Sequence, residues 1–297
     1  MVNFPVLADD PFKIDIDAAA ELIDRHRPEL IVLGKSMVLY PEPIQAIRHI
    51  LDSLDIPCVL MVDMAHVLGL VGHWFQHPFQ EGADVVTGST HKTFFGPQRG
   101  IIASNLTREH WRYPFWEAVE RRAFPGSVSN HHLGTLLGLL MAAYEMNTFK
   151  DEYQQQVIAN AKAFAVALHD CGFRVAGDPS VSFTQTHQVI LQVGYGRGPE
   201  VARHLENNHI IVNYQAGPDE EGFSAAGYLR MGVSEMTRFG MKEDDFKALA
   251  SLMQDAIILN KPVKSRIIEF RKPFLTMQYC FHEPELESLI QSMHQMI

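Results

Sequence analysis

Two uninterrupted apolar runs, "ELIVLG" (29–34) and "CVLMVD" (58–63), constrain the fold of this chain more than any other feature. Neither alternates with polar residues, which predicts strands covered on both faces. Between them lies "EPIQAIRHILDSL" (42–54), with Ile44, Ile47, Ile50, Leu51 and Leu54 at helical spacing. A helix between two such strands is a parallel βαβ unit and points to a doubly wound sheet. "ADVVTG" (83–88) and "RGIIASN" (99–105) read as further strands. Their link is too short for the usual parallel crossover, so they are antiparallel neighbours or pair elsewhere. From 128 to 170 the chain reads helical, first "HHLGTLLGLLMAAYEM", then "DEYQQQVIANAKAFAVALHDCG", which opens on acids and ends at Gly172. Strands at 187–193 and 228–233, with the apolar run "IIVN" (210–213) between them, then mix with helices at 198–208 and 242–257, an α+β pattern. A domain change is expected near residue 147. It separates a domain over 1–147, with a mainly parallel sheet, from a C-terminal α+β domain over 148–297.

Composition narrows the function. The net charge of −10 argues against nonspecific binding to nucleic acid or an anionic membrane, both of which need clustered Lys and Arg. The best basic cluster, "KSRIIEFRK" (264–272), is interrupted by apolar residues and reads as a snorkelling face of a strand or helix. Cys58, Cys171 and Cys280 are odd in number and far apart, which suggests no disulfide framework and fits a reducing cytoplasm. Residues 1–15 lack the basic start and apolar core of a signal peptide. The most apolar stretch, "LGTLLGLLMAA" (133–143), falls short of the roughly 20 residues of a membrane span and predicts a buried helix.

Chemistry is expected at the carboxyl ends of the parallel strands, where open sheets bind ligands. Asp63 closes "VLMV", His66 follows it in "DMAH", and Lys92 sits in the loop after "ADVVTGST". Successive strand ends thus bring an acid and a lysine to one edge. Pyridoxal phosphate needs such a pair: an amine to hold its aldehyde as an imine, and a carboxylate to keep its pyridine nitrogen protonated. His91, with Gly88, Ser89 and Thr90, could supply hydrogen bonds near the phosphate, and Gly96 and Pro97 would turn the chain back. Taken singly, these residues also have plain readings: Asp63 as a turn or capping residue, Lys92 as a solvated loop lysine, His66 as a core histidine. Other chemistries fit less well. His91 precedes Lys92 where a phosphate-binding Walker loop needs glycine, and neither an HExxH nor a GxSxG motif is present. His131 and His132 are adjacent on the sequence, so on a helix they do not face one metal site.

Together, "VDMAHVLGLVG" and "GADVVTGSTHKTFFGPQRG" closely resemble serine hydroxymethyltransferases and their relatives, including threonine aldolases and transaldolases. The resemblance runs through "FPGS" (124–127), "YQQQVIANAKAFAVAL" (153–168), "IIVN" (210–213) and "YLRMGVSEMTRFGMKEDDF" (228–246), covering residues 12–257. It implies a fold-type I transferase of the α/β class that uses pyridoxal phosphate to cleave or form the Cα–Cβ bond of a β-hydroxy amino acid. On this resemblance Lys92 corresponds to the lysine that binds the cofactor aldehyde. Asp63 corresponds to the partner of the pyridine nitrogen, and His66 to the histidine near the cofactor's phenolic oxygen and the substrate. Ser36 corresponds to a cofactor-contacting serine, His91 to the histidine beside the lysine and near the phosphate, and Arg230 to the clamp for the amino-acid carboxylate. A guanidinium on a strand suits that last task, being a rigid two-pronged donor.

Two departures shape what is expected of this chain. Members of the family carry a further segment before the equivalent of Phe12, which supplies the first strands and part of the cofactor site. The chain is therefore expected to be N-terminally incomplete: a fragment, one half of a split enzyme, or a non-catalytic remnant that pairs with a separate N-terminal chain. The second departure is "FPGSVSNHH", with Ser129 and Asn130 where folate-using members carry glycines. It weakens the case for tetrahydrofolate and brings in the folate-independent aldolase and transaldolase alternative, while leaving pyridoxal phosphate in place. In the family this loop reaches a neighbouring subunit, so a homodimer is expected. The segment 258–297 lies beyond the resemblance and is expected to be a packing extension.

Overall fold

A computed structural model describes residues 1–295. Helix α1 (Ile16–His26) starts where the Asp15 carboxylate accepts a hydrogen bond from Ala18 N, one of the donors a helix start leaves unpaired. It leads into β1 (Leu30–Leu33), α2 (Ile44–Ser53) and β2 (Val59–Asp63). β1 and β2 pair in parallel, Leu30 with Val59 through Leu33 with Val62, as a βαβ unit requires. β3 (Val85–His91) extends the parallel set, with Asp63 opposite Thr87. β4 (Phe95–Ser104) returns antiparallel to β3, so the short link is a hairpin turn. The sheet order is β1-β2-β3-β4.

Burial differs from the expectation of strands covered on both faces. β1 alternates: Ile31 and Leu33 are buried with Ile23 of α1 and Ile44, Ile47 and Leu51 of α2. Leu30 and Val32, on the opposite face, are 53 % and 48 % exposed. The helices of this chain cover one face there.

After α3 (Tyr113–Arg121) comes one 38-residue helix, α4 (Leu133–Asp170), in place of two. Asp151 and Glu152, read as the start of a second helix, sit mid-helix. The expected buried helix at 133–143 is also corrected: Leu133, Leu136, Leu137 and Leu140 are exposed, and burial begins at Ala142. The C-terminal part of α4 carries the core residues Tyr153, Val157, Ala161, Phe164 and Leu168. The position near residue 147 falls inside α4, which packs on β4 and β6 alike.

The second sheet is antiparallel, in the order β5-β6-β8-β7. It comprises β5 (Arg174–Val175), β6 (Gln188–Gln192), β7 (Asn213–Gln215) and β8 (Tyr228–Gly232). Of the run at 210–213 only Asn213 enters a strand, and all four residues line the cavity described below. Helices α5 (Gly198–Asn207), α6 (Ser234–Arg238) and α7 (Glu243–Ile257) complete this half. α7 packs along α4, with Phe246 against Phe164. Beyond the expected boundary at 258 follow α8 (Lys264–Arg271) and α9 (Glu283–His294). Val263 and Ile267 join the main core, and the Tyr279 ring lies edge-on to Tyr153. No helix among the described residues is long and apolar enough to cross a membrane.

Candidate functional site

Lys92, Thr93 and Phe94 form the tip of the β3–β4 hairpin, since His91 pairs with Phe95 across it. The register shifts between Ser89 and His91, a bulge that re-aims the side chains at the strand end. Thr93 locks the tip. It is buried, its hydroxyl accepts from Gly69 N at 3.0 Å and donates to His66 O at 2.9 Å, and its carbonyl accepts from the buried Tyr153 hydroxyl at 2.9 Å. Gly69 has to be glycine here, because a Cβ would lie 2.2 Å from the Thr93 carbonyl carbon. The same bonds that hold the hairpin tip hold the main chain of His66.

The side chains meet above these bonds. His66 Nε2 lies 3.3 Å from Lys92 Nζ. His66 Nδ1 lies 3.4 Å from the Gln188 amide nitrogen. Arg230, on β8, donates to Ser36 O at 3.0 Å, and Gln188 donates to the same carbonyl at 3.1 Å. Ser36 is thus a main-chain anchor for Arg230, while its hydroxyl accepts from Gln215. Asp63 ends β2 with one carboxylate oxygen accepting from Ala65 N at 2.9 Å, the turn role that such a residue plays at a strand end. Gly34 takes φ +128° beside it, and a Cβ there would lie 2.3 Å from the Asp63 carbonyl oxygen. His66, His91, Lys92, His187, Gln188 and Arg230 all line one cavity of about 1280 Å³.

The electrostatics follow from this crowding of cations. Burial first, then the charges of Lys92 and Arg230, push the His66 pKa down to about 4, against the opposing pull of Asp63. Burial and Arg230 also lower the Lys92 pKa, again opposed by Asp63. An amine held below its ordinary range is a better nucleophile at neutral pH. His187 is buried beside them, its Nδ1 without a hydrogen-bond partner among the described residues and its pKa pushed down to about 3, chiefly by burial. Burial lowers the Arg230 pKa too, and no carboxylate among the described residues forms an ion pair with it. A half-buried guanidinium that pairs with no carboxylate among the described residues and faces a cavity can take a carboxylate from outside.

The structure therefore brings Lys92, His66, Arg230 and Ser36 into one connected cluster, with the charge of Asp63 felt at both Lys92 and His66. Thr90 is different. Its buried hydroxyl is used inside the hairpin, donating to Pro97 O and accepting from Arg99 N, so it does not serve a phosphate. Thr93, Gln188 and His187 are the site residues that sequence reasoning missed. The available signal was polar residues inside or beside apolar strand runs, "THKT" and "THQVILQ".

Comparison with known proteins gives the family. The family model described as serine hydroxymethyltransferase matches residues 2–253. The serine hydroxymethyltransferase of Archaeoglobus fulgidus is 43 % identical over 292 residues, which cover 96 % of this chain and 64 % of the relative. That of Korarchaeum cryptofilum is 40 % identical, over 95 % of this chain and 65 % of the relative. A crystal structure of L-threonine transaldolase from Pseudomonas fluorescens in its internal aldimine state superposes with a TM-score of 0.84 at 32 % identity. That match covers 97 % of this chain and 66 % of the transaldolase. The chain thus spans slightly less than two thirds of the length of these proteins. With the family model matched over most of its length and relatives at this identity, the chain belongs to the serine hydroxymethyltransferase family.

Proposed function

We propose that this chain carries the lysine-bearing part of a transferase that uses pyridoxal phosphate to cleave and form the Cα–Cβ bond of β-hydroxy amino acids of the serine–glycine type. The observation that carries the reading is the pairing of Lys92 with His66 at the wall of a cavity that Arg230 also lines, Arg230 forming no ion pair with a carboxylate among the described residues. These residues fit the cofactor: Lys92 would hold its aldehyde, Asp63 would face its pyridine nitrogen, and Ser36, His66 and His91 would contact it. The cofactor, when bound, supplies an electron sink for bond cleavage at Cα. Arg230 binds the amino-acid carboxylate and so orients the scissile bond. His66 handles a proton at Nε2, the atom that faces the Lys92 amine.

A second reading, a folate-independent threonine-type aldolase or transaldolase, is favoured by Ser129 and Asn130 and by the likeness to the transaldolase. Aldehyde release from serine and from threonine, measured with pyridoxal phosphate and with or without tetrahydrofolate, separates the two. Serine turnover that requires tetrahydrofolate supports the first reading, and folate-independent threonine cleavage supports the second. Full activity of Lys92→Ala on either substrate contradicts both.

We also infer two domains, over 1–147 and 148–297, each holding one sheet with α4 passing between them. A homodimer is supported by the exposed apolar residues Trp111, Phe124, Leu133, Leu136 and Leu140 along the 111–144 segment. A cytoplasmic location is supported by three free cysteines.

A further inference from the structure

Gln188 is a glutamine buried inside an apolar strand, 1 % exposed, and its amide orientation is fixed by its neighbours. Val38 N–H can only donate, so the Gln188 atom 2.8 Å from it is the carbonyl oxygen. The Ser36 carbonyl can only accept, so the atom 3.1 Å from it is the amide nitrogen. One N–H of that nitrogen is spent on Ser36. The other faces His66 Nδ1 at 3.4 Å. A ring nitrogen facing an N–H donor has to be bare, and in a neutral imidazole the proton then sits on Nε2.

We propose that Gln188 is a positioning residue that fixes the tautomer of His66, holding Nδ1 bare so that Nε2–H donates to the Lys92 amine. That hydrogen bond needs a lone pair on Nζ, 3.3 Å away, and therefore favours the uncharged lysine. The ring is surrounded by Lys92 from the hairpin tip, Arg230 from β8, Asp63 from the end of β2 and His187 at the start of β6. Lys92 and Arg230 oppose its protonation, Asp63 favours it, and the buried His187 is itself held neutral. The glutamine thus selects the protonated nitrogen while the surrounding cations keep the ring neutral. The consequence for Lys92 reactivity rests on the functional reading above, whereas the tautomer does not.

The test uses the full chain labelled with ¹⁵N at the imidazoles, with two-bond ¹H–¹⁵N correlations recorded near neutral pH. His66→Gln assigns the His66 ring among the 15 histidines. The expected result is a bare Nδ1 and a protonated Nε2; a protonated Nδ1 in the wild-type chain overturns the proposal without any variant. In Gln188→Glu the ionised side chain can only accept, so the proton moves to Nδ1 and the ring titrates at higher pH. A folded Gln188→Glu chain that keeps the wild-type tautomer also overturns it. In parallel, Lys92 labelling by pyridoxal phosphate and borohydride is expected to shift its pH profile up by about one unit in Gln188→Glu, roughly tenfold slower labelling near neutral pH. If Lys92 takes no label in either protein, the functional reading fails while the tautomer result stands.

Discussion

At the residue scale, the cluster depends on groups that each satisfy one demand. Arg230 spends one N–H on Ser36 O while lining the cavity, and in the proposed function the rest of its fork binds the amino-acid carboxylate. Replacing it with lysine removes the fork while keeping the charge. Arg230→Lys is expected to raise KM for the amino acid by roughly 10- to 100-fold, the equivalent of losing one charge-assisted hydrogen bond of about 1.5–3 kcal/mol. Steady-state kinetics against amino-acid concentration reads this directly, and an unchanged KM would remove Arg230 from the clamp role. Thr93→Val leaves buried Gly69 N without its acceptor and is expected to cost about 1–3 kcal/mol in denaturant unfolding. Lys92, His66 and Arg230 were legible because strand ends and short motifs mark them. Gln188 and Thr93 were not, because their meaning lies in partners that folding supplies: Val38 and Ser36 for the first, Gly69 and His66 for the second.

At the element scale, strands and helices with a clear period were readable to within a residue or two, as β6, β8, α5 and α7 show. The failures have physical causes. The run at 133–143 is apolar all round, which in isolation reads as buried, yet in this chain its neighbours cover little of it. Asp151 and Glu152 carry the signature of a helix start, but tertiary packing of the flanking turns overrides it and α4 continues through them. α1 was not anticipated, although Asp15 before "IDAAAELIDRH" offered a cap and a helix-forming run. If the exposed start of α4 is a subunit surface, Leu136→Glu with Leu140→Glu is expected to shift the chain from dimer to monomer in sedimentation, with little change in its melting temperature. Deep in the same helix, the buried Asn160 amide donates to Thr237 Oγ1 and Met241 O. Asn160→Ala strands that carbonyl and is expected to destabilise the fold by about 1–3 kcal/mol in denaturant unfolding.

At the scale of the whole molecule, the site draws residues from both sheets, with α4 packed on both. The α/β class and the parallel start of the first sheet followed from the apolar runs. The one-sided cover of β1 did not, because a run of apolar residues states what can be buried and not what is. Packing two histidines among cations at this junction has a global consequence. His66 and His187 are held well below the ordinary 6.5, at about 4 and about 3. Below 6.5 the unfolded chain binds protons that these folded rings refuse, so stability rises with pH from about 3 to about 6.5 and their penalty is gone above that range. Denaturant midpoints measured across this window are expected to climb with pH, and His66→Gln is expected to flatten the climb.

The central claim is that Lys92 is the amine this fold prepares for a cofactor aldehyde. It is tested by adding pyridoxal phosphate to the purified chain, reducing with borohydride and mapping the modified peptide. A single label on Lys92, absent from Lys92→Ala, is the predicted result. A label spread over surface lysines, with Lys92 unmodified, would contradict the account.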